Sequence, residues 1–520
     1  MRKLWHFHGG LKLEGHKAIS MREPIQQVPI PKFLTLPLQQ HIGEAAQPIV
    51  KVGERVLTGQ VIAHATGYIS APVHASSSGT VVAIEKRPIA HPSTIHDDCI
   101  VIETDGKDER FTHECLKQGY QQLDPSELRN CVRNAGIVGL GGAGFPSFIK
   151  LNPGKQQVDT LILNGAECEP YISCDAMLMR ERPREIIDGM LIMRHALHAK
   201  QCLIGIEDNK PEAIRALQDA LSEQEKTIIE VVTVPTRYPA GGEKQLIRTL
   251  TGIEVPSNGL PIHVGIVCHN VGTAVAIARA IHQGEPLISR IVTVTGNAVA
   301  NPCNVEARIG TPMEALLEQA GLDHSKLARL LMGGPMMGFV VDDADVPIIK
   351  TTNCLLAMTK EDVAQEVHPM PCIRCGECTK VCPAKLLPQQ LYWYARSKEL
   401  DRIQNYHLFD CIECGCCNLV CPSHIPLVQY YRFAKTEIWA KDREKQKADL
   451  ARERHEFHQL RLERKKQEDE ARKRKKKEML EKAATKDDDK QAAIRAAMER
   501  VNAKKAAQQQ ATTTNKDDPA

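Results

Sequence analysis

The sequence lacks a long apolar run. Over its 520 residues, no stretch approaches the ~18 apolar residues that a membrane-spanning helix needs. The N-terminus also lacks a signal-peptide pattern, because Arg2 and Lys3 precede a polar, glycine-containing stretch (residues 6–10) and no apolar core follows. We therefore expect neither an integral membrane protein nor a secreted one. The sequence does not exclude a protein that binds to a membrane surface.

Aromatic residues make up only 4% of the chain, and no nucleic-acid-binding module is recognisable. The charges are nearly balanced overall, with 67 basic and 64 acidic residues. Residues 441–520 hold 24 basic and 17 acidic residues, a net +7, which leaves a net −4 for the first 440. The excess positive charge therefore lies in the tail, and a nucleic-acid partner is not expected.

Cysteine is distributed unevenly. Nine of the 18 cysteines fall between Cys372 and Cys421, and the other nine are scattered without regular spacing. Such clustering is typical of a metal-bearing segment in a reducing compartment and not of a disulfide scaffold. The sequence therefore predicts a cytoplasmic protein with a metal centre near its C-terminal third.

Composition and periodicity predict a multidomain α/β and α+β protein with six segments. These are an extended, proline-containing arm laid on the first domain (1–40), a small β barrel-sandwich (41–110), a parallel α/β domain (115–285), a small α+β module (287–358), a cysteine-rich domain (365–435) and a charged tail (436–520). The tail is expected to be a solvated helix that becomes disordered through Gln508–Gln510 and Thr512–Thr514.

The barrel-sandwich segment resembles the lipoyl/biotinyl carrier fold in its two halves, Val50–Val61 and Ala71–Val81. Carriers of that fold present a modifiable lysine at the hairpin tip between the halves. Here the tip reads His64-Ala-Thr-Gly-Tyr68. A carrier enzyme is therefore disfavoured, and we expect a structural module.

In the α/β segment, strand-like runs at 160–163, 202–206, 228–234 and 263–267 alternate with helical stretches such as Pro183–His195 and Pro211–Leu221. This order predicts a parallel sheet covered by helices. Further along, a helix is expected over Pro312–Ala320, and the glycine-rich Gly333–Gly338 is interpreted as a turn between strands.

Two cysteine tracts share one spacing, in which cysteines separated by two, two and three residues are followed by proline. This spacing is typical of two-cluster ferredoxins, in which the fourth cysteine of each tract ligates the other cluster. Zinc sites seldom use such triplets. The pattern predicts two [4Fe-4S] clusters, the first held by Cys372, Cys375, Cys378 and Cys421, and the second by Cys411, Cys414, Cys417 and Cys382. Cys416 is out of register and is expected not to be a ligand.

Four polar or glycine-rich loops follow successive elements of the α/β segment: Gly139–Pro146, Leu163–Tyr171, Tyr238–Lys244 and Cys268–Thr273. Loops at the carboxyl ends of parallel strands lie where α/β sheets bind ligands. Exposed glycine amides near Lys150 suit a phosphate group. Two alternatives remain open: the glycine-rich loop serves only as a tight packing turn, and the carboxylates of the Leu163–Tyr171 loop are those of an ordinary surface loop.

In this order the four loops resemble those of the flavin- and NADH-binding subunit of respiratory complex I. The resemblance implies FMN contacts from Gly139, Gly141, Gly142, Lys150, Asn164, Glu167, Asn270 and Thr273. It also implies NAD(H) contacts from Phe145 and Glu169. Tyr238, Gly242 and Glu243 would complete the wall of this nucleotide-binding site. Two positions depart from that family, since Leu140 stands where it has arginine and Lys244 where it has glutamate.

Taken together, residues 1–435 resemble the RnfC/RsxC family of the Rnf/Rsx electron transport complexes, with a β-grasp-like module at 287–358. The resemblance implies a peripheral subunit on the cytoplasmic side of the inner membrane. Such a subunit passes electrons between NAD(H) and membrane-embedded and peripheral partner subunits through FMN and two [4Fe-4S] clusters, with coupled ion translocation. Some family members are linked to keeping a redox-sensing transcription factor reduced.

Two alternatives remain open. The α/β domain of a pure iron–sulfur relay or docking protein would bind neither flavin nor NADH. For the tail, a net charge of +7 suits contact with anionic lipid, because each basic residue near such a surface is attracted by ~1 kcal/mol. The same charge equally suits a solvated helix.

Overall fold

The computed structural model describes residues 2–112, 119–363 and 368–511. These fall into two compact units, Met1–Lys435 and Thr436–Ala520. The predicted domain starts at residues 115 and 365, and the predicted disorder of Thr512–Thr514, lie outside the described residues. Among the described helices, none combines the length and the apolar character that crossing a membrane requires.

The N-terminal arm contributes two short strands, β1 (Gln26–Gln27) and β2 (Phe33–Pro37). Leu34 and Leu36 are fully buried, and β2 forms the edge of a four-stranded sheet, where its flanking prolines cost no ladder hydrogen bond. The arm lies on the first domain through β2, which pairs with β8, and it also extends beyond that domain, because β1 pairs with residues 305–306 of a different sheet.

The barrel module holds six further strands: β3 (Gln47–Pro48), β4 (Arg55–Val56), β5 (Val61–His64), β6 (Val73–His74), β7 (Gly79–Pro88) and β8 (His96–Thr104). They form a sheet of order β2-β8-β7-β4 and a second of order β3-β5-β6. Ile62, Ile100 and Ile102 are fully buried in their common core. The hairpin tip between β5 and β6 carries the exposed Tyr68, whose ring meets Phe148 edge-on at 6.1 Å.

A parallel sheet of order β11-β10-β9-β12 forms the centre of the first unit. The chain runs through α1 (Pro125–Asn134), α2 (Ser147–Lys150), β9 (Thr160–Gly165), α3 (Cys174–Glu181), α4 (Pro183–Leu197), β10 (Gln201–Glu207), α5 (Pro211–Ala220), β11 (Ile229–Val234), α6 (Glu243–Thr251), β12 (Ile266–Asn270) and α7 (Val271–Gln283). The central strands are apolar on both faces, as in Leu161–Leu163, because helices cover both sides.

The last strand of this sheet begins later than the sequence suggests. We predicted a strand over 263–267, but Pro261–Val264 form a 3-10 turn and β12 starts at Ile266. Proline stands at the first position of that turn, and Gly265, with φ of 72°, ends it. The shift places Asn270, not Val267, at the carboxyl end of β12.

The next module is a six-stranded sheet of order β1-β14-β13-β17-β15-β16. Its elements are β13 (Ser289–Thr295), β14 (Cys303–Arg308), α8 (Met313–Gln319), β15 (Arg329–Met332), β16 (Phe339–Val340) and β17 (Cys354–Met358). The glycine-rich stretch is a turn joining β15 to β16, closed by a 2.9 Å bond from the Gly338 amide to the Gly334 carbonyl.

The cysteine-rich segment is mostly loop with four short helices, α9 (Glu377–Lys380), α10 (Pro388–Arg396), α11 (Leu400–Asn405) and α12 (Cys416–Leu419). Helix α13 (Leu427–Ala511) follows. From Lys441 to Gln509 its side chains are exposed, apart from the half-buried Asp449. The prediction of disorder is wrong for residues 508–511, which continue the helix after a run of alanine and lysine, both strong helix formers.

Candidate functional site

The carboxyl ends of the parallel strands bring the predicted loops to one edge of the sheet. Asn164 of β9 and Asn270 of β12 are direct register partners. The loop after β9 and the loop that leads into α6 are also joined there, because Nδ2 of the Asn164 side chain donates to the Gly241 carbonyl at 2.8 Å. The structure therefore places three of the four predicted loops together at the edge where α/β sheets bind ligands.

The glycine loop between α1 and α2 is the fourth. The Leu140 amide donates to Thr273 Oγ1 of α7 at 3.1 Å, and the Gly139 amide donates to the Phe145 carbonyl at 2.9 Å. Gly141 packs so closely that a Cβ there would lie 2.8 Å from the Asn270 side-chain nitrogen, whereas a Cβ at Gly142 would meet nothing within 4 Å. This loop lies against the N-terminus of α7.

The backbone amides of Gly141, Gly142 and Ala143 have no acceptor among the described protein atoms. All three residues are exposed, and within the described ranges their N–H groups donate to no protein atom. Unpaired amides on a glycine loop beside the N-terminus of a thirteen-residue helix suit an anionic group such as a phosphate. The loop therefore fits the phosphate end of a flavin nucleotide.

Asn270 connects this loop to α3. Its Oδ1 accepts from the Gly272 amide at 2.8 Å and caps α7, while its Nδ2 donates to Asp175 at 2.7 Å. Burial, followed by repulsion from the Glu167 carboxylate, raises the pKa of Asp175. Asp175 is a residue that sequence reasoning missed, since nothing in its spacing distinguishes it from a first-turn helix carboxylate.

Lys150 does not stand alone beside the glycine loop. Its ammonium lies 2.7 Å from Glu243 Oε1 and donates to the Cys268 carbonyl at 3.0 Å. Gly242 precedes Glu243 as the N-cap residue of α6. Burial, with a smaller effect of Lys150, lowers the pKa of the adjacent His269 to about 3, so this ring is neutral.

Glu167 faces inward. It is 8% exposed, and its carboxylate accepts from the amides of Asp175 at 2.8 Å and Ala176 at 3.4 Å in the first turn of α3. A carboxylate at a helix N-terminus is favourable. Lys17 of the arm lies 3.8 Å away. Glu167 thus stabilises the loop after β9 from behind and does not lie on the open rim.

Two buried lysines that the sequence did not reveal fix the same loop. Lys17 donates to the Glu169 carbonyl at 2.8 Å and also to the Ile172 carbonyl. Lys210 pairs with Glu207 at 2.5 Å and donates to the Glu167 carbonyl at 3.3 Å. Both ammonium groups are almost completely buried and compensated by hydrogen bonds. The loop after β9 is therefore a rigid element.

The polar groups of Glu169 and Tyr238 are bonded to other parts of the chain. The Glu169 carboxylate accepts from the Met336 amide at 2.7 Å and the Met337 amide at 2.9 Å, and burial raises its pKa. The Tyr238 hydroxyl donates to the Cys414 carbonyl at 2.6 Å, with only 3% of the residue exposed. Both side chains of the expected dinucleotide wall are engaged with other parts of the chain, whereas Phe145 is half-buried at the loop.

The two cysteine tracts have the same backbone conformation. Positive φ angles occur at equivalent positions before the second cysteine (Arg374, 58°; Glu413, 57°) and after it (Gly376, 83°; Gly415, 76°). A one-turn helix follows the glycine in each tract. The repeat in sequence is therefore a repeat in backbone structure.

Cys382, the fourth cysteine of the first tract, lies beside the second tract. Cys382 is close enough to Cys414 to interact electrostatically, and it lines one cavity together with Cys411, Cys414 and Cys417. At the other end, the Met370 amide donates to the Ser423 carbonyl at 2.9 Å, which brings the segment before Cys372 next to the segment after Cys421. This arrangement fits two four-thiol sites with exchanged fourth ligands.

The two sites differ in exposure. Cys382, Cys414 and Cys417 are each less than 10% exposed, whereas Cys375 is exposed. Cys416 is completely buried and packs in the same apolar cluster as Cys414. The second-tract site therefore lies inside the first unit and the first-tract site near its surface.

Four family models match the chain. They are the RnfC barrel sandwich hybrid domain over residues 5–107, the Nuo51 FMN-binding domain over 132–279, the SLBB domain over 291–340 and the 4Fe-4S dicluster domain over 367–425. The flavin model covers the parallel sheet with its glycine loop, and the dicluster model covers both cysteine tracts. FMN and two [4Fe-4S] clusters are therefore the cofactors of this chain, as the sequence predicted.

Curated relatives match most of this chain. The C subunit of the ion-translocating oxidoreductase complex from Yersinia pestis bv. Antiqua is 47% identical over 464 residues, which are 89% of this chain and 74% of that protein. The chain belongs to this RnfC family. Members from Vibrio cholerae (50% identical over 465 residues) and Pseudomonas aeruginosa (49% over 468) also match 89% of the chain. The chain spans about 60% of the length of those two relatives.

Among solved structures, an NAD+-reducing [NiFe]-hydrogenase in the H2-reduced state shows a distant similarity to this RnfC-family chain. The TM-score is 0.44 and the sequence identity is 19%. The match covers 58% of this chain and 60% of the hydrogenase chain.

Proposed function

We propose that this chain is the electron-transfer subunit of a membrane-bound, ion-translocating complex that exchanges electrons with NAD(H). The observation that carries the proposal is one compact unit, Met1–Lys435, which holds the glycine-loop site, the sheet edge and both cysteine tracts. Bound FMN would supply the conversion between two-electron and one-electron chemistry. Iron–sulfur clusters carry single electrons, so the two sites suit the one-electron side.

We assign the flavin phosphate to the exposed amides of Gly141, Gly142 and Ala143. Gly139 and Thr273 shape the loop through the hydrogen bonds described above, and Asn164 and Asn270 border it from the strand ends. Glu167 acts indirectly, by holding the loop after β9 from behind. Lys150 contributes positive charge that Glu243 partly neutralises. Phe145, half-buried at the end of the loop, is assigned to the nicotinamide dinucleotide.

The [4Fe-4S] ligands are assigned as two exchanged sets. Cys411, Cys414, Cys417 and Cys382 hold the cluster that we call the inner cluster, and Cys372, Cys375, Cys378 and Cys421 hold the outer cluster. The shared cavity of the first set and the Met370–Ser423 hydrogen bond near the second support this exchange. The exposure of Cys375 makes the outer cluster the one within reach of a partner protein.

As to place and partners, we propose that the protein lies on the cytoplasmic face of the inner membrane, bound to membrane-embedded and peripheral subunits of the complex. The tail, with a net +7 over residues 441–520, would add contact with anionic lipid. Sedimentation of the full chain with anionic vesicles, lost at high salt, checks this contact. Equal binding to neutral vesicles would contradict it.

The flavin assignment is tested with Gly142→Ala and Gly15→Ala. A methyl at Gly142 meets no protein atom within 4 Å, and one at Gly15 makes only an ordinary van der Waals contact of 3.8 Å with the Lys17 side chain, so both chains should fold normally. We expect Gly142→Ala to weaken FMN binding at least tenfold and to abolish NADH-dependent bleaching of the clusters. Gly15→Ala should change neither. Clusters of the reconstituted wild type that stay oxidised with excess NADH and FMN would instead support a relay protein without its own flavin site.

A further inference from the structure

The phenol of Tyr238 connects the flavin-binding sheet to the second cysteine tract. Tyr238 lies in the loop between β11 and α6, and its hydroxyl donates to the Cys414 carbonyl at 2.6 Å. The ring packs in an apolar cluster with Cys414 and Cys416. Because the residue is only 3% exposed, it has little surface to offer a dinucleotide. Its contacts point to the iron–sulfur side of the protein.

The N-terminal arm holds the same place from the other side. Leu11 and Tyr238 exchange two backbone hydrogen bonds, of 2.7 and 2.8 Å. Just before them, the Gly10 amide donates to the Val381 carbonyl at 2.9 Å, and His8 Nδ1 donates to the Cys382 carbonyl at 2.9 Å. The arm segment 8–11 therefore lies between the Tyr238 loop and the last residues of the first tract.

Gly9 shows how tight this contact is. Its φ is +66°, and a Cβ would lie 2.5 Å from both the carbonyl carbon and the carbonyl oxygen of Val381. These are backbone atoms, so any side chain would have to push the Val381–Cys382 segment away. Only glycine allows the arm to approach that segment so closely.

Both contacts reach ligands of one cluster. In the assignment above, Cys414 and Cys382 belong to the inner cluster, although they come from different tracts. The turn at Met336 also packs closely against the second tract, since a Cβ at Gly415 would lie 2.9 Å from the Met336 carbonyl oxygen. The first-tract residue Cys375 is exposed instead. The inner cluster is thus the one that is fixed to the flavin-binding sheet.

We propose that Tyr238 and arm segment 8–11 are positioning residues that hold the inner cluster against the flavin domain, so that this cluster is the first to accept electrons. The inference rests on the proposed function, in which reduced FMN is the donor. Each transfer takes one electron from the reduced flavin and adds one to an oxidised [4Fe-4S] cluster. No bond between heavy atoms forms or breaks, and the N–H bonds that reduction added to the flavin are broken as its electrons leave, with their protons released to solvent.

The phenol is tested with Tyr238→Phe, and Tyr392→Phe is its matched control. Tyr392 is 6% exposed, and its hydroxyl accepts from the Arg396 guanidinium at 3.3 Å within the cysteine-rich segment itself. With photochemically reduced FMN as donor, we expect Tyr238→Phe to slow cluster reduction at least threefold and Tyr392→Phe to leave it unchanged. Reduction by dithionite, which bypasses the flavin, should be the same in all three chains. Equal rates in the two variants would overturn the proposal.

The arm is tested with Gly9→Ala against Gly15→Ala. We expect Gly9→Ala to raise hydrogen exchange in peptides covering 376–382 and 411–417 and to shift the midpoint potential of the inner cluster, with no effect from Gly15→Ala. These readouts need neither NADH nor flavin, so they decide the positioning role even if NADH fails to reduce the protein. Unchanged exchange and potential in Gly9→Ala would contradict it.

The order of the clusters is determined from the wild type at less than one electron per chain. The first paramagnetic resonance signal to appear should be the one that is missing in Cys414→Ala and present in Cys375→Ala. The opposite pattern would show that the outer cluster accepts first and would refute the inference.

Discussion

Lys150 and Glu243 face each other at the sheet edge, with 2.7 Å between Nζ and Oε1. Each side chain is about one-third exposed, so the ion pair contributes little to stability, of the order of 1 kcal/mol or less. Its effect lies in the charge beside the glycine loop. The Lys150 ammonium, which the sequence suggested as a phosphate ligand, already pairs with the Glu243 carboxylate. The carboxylate therefore weakens the attraction between the ammonium and a bound phosphate.

Removing the positive charge and removing the negative charge of this pair should therefore change FMN affinity in opposite directions. We expect Lys150→Met to weaken FMN binding about tenfold, which corresponds to ~1.4 kcal/mol. We expect Glu243→Gln to leave the affinity unchanged or to increase it, because it frees the ammonium. Fluorescence titration of the apo-flavin protein measures both. Similar losses in the two variants would show that the pair acts only by stabilising the fold.

Arg290 supports the glycine loop from below. It is 6% exposed, and its guanidinium donates to the Leu140 carbonyl at 3.3 Å and to the Lys350 carbonyl. In Arg290→Met these buried carbonyls lose their donor, at ~1–3 kcal/mol for each unsatisfied group. We expect lower thermal stability and weaker FMN binding, while Arg329→Met, an exposed change on the same sheet, should leave both intact. Unaltered FMN affinity in Arg290→Met would rule out this support.

Lys350 predicts a pH dependence. Burial lowers its pKa from 10.5 to about 7, while its amine donates to the carbonyls of Pro72 at 2.9 Å and Gly136 at 2.7 Å. Between pH 7 and 10.5 the unfolded chain holds a proton on this lysine that the folded chain does not. This group should therefore make the protein more stable as the pH rises through that range. In urea unfolding at several pH values, the free energy of unfolding of wild type relative to Lys350→Met should increase as the pH rises through this range, whereas that of wild type relative to Lys200→Met, whose side chain is exposed, should stay constant.

Cys416 should be dispensable for cluster assembly. It is fully buried next to Cys414, but it does not occupy the position that the repeat assigns to a ligand. We expect Cys416→Ala to retain the visible absorption and iron content of wild type and Cys417→Ala to lose one cluster. A loss in Cys416→Ala equal to that in Cys417→Ala would make Cys416 a ligand.

Local patterns predicted what depends on local chemistry. The parallel sheet followed from apolar strands alternating with helices, and the repeated cysteine spacing predicted two equivalent loops. The positions of Glu169 and Tyr238 could not be predicted, because their partners Met336 and Cys414 are 167 and 176 residues away in the chain. Lys17 was hidden for the same reason. In a single sequence nothing indicates that an arm lysine reaches the Glu169 carbonyl, 152 residues away.

The account depends most on the exchanged cysteines, and iron analysis of anaerobically prepared protein tests them most directly. We predict about eight irons per chain for the wild type and about four for each of Cys382→Ala and Cys421→Ala, because each variant opens one four-thiol site. About four irons or fewer in the wild type, or a full complement of about eight in both variants, would contradict the paired-cluster arrangement.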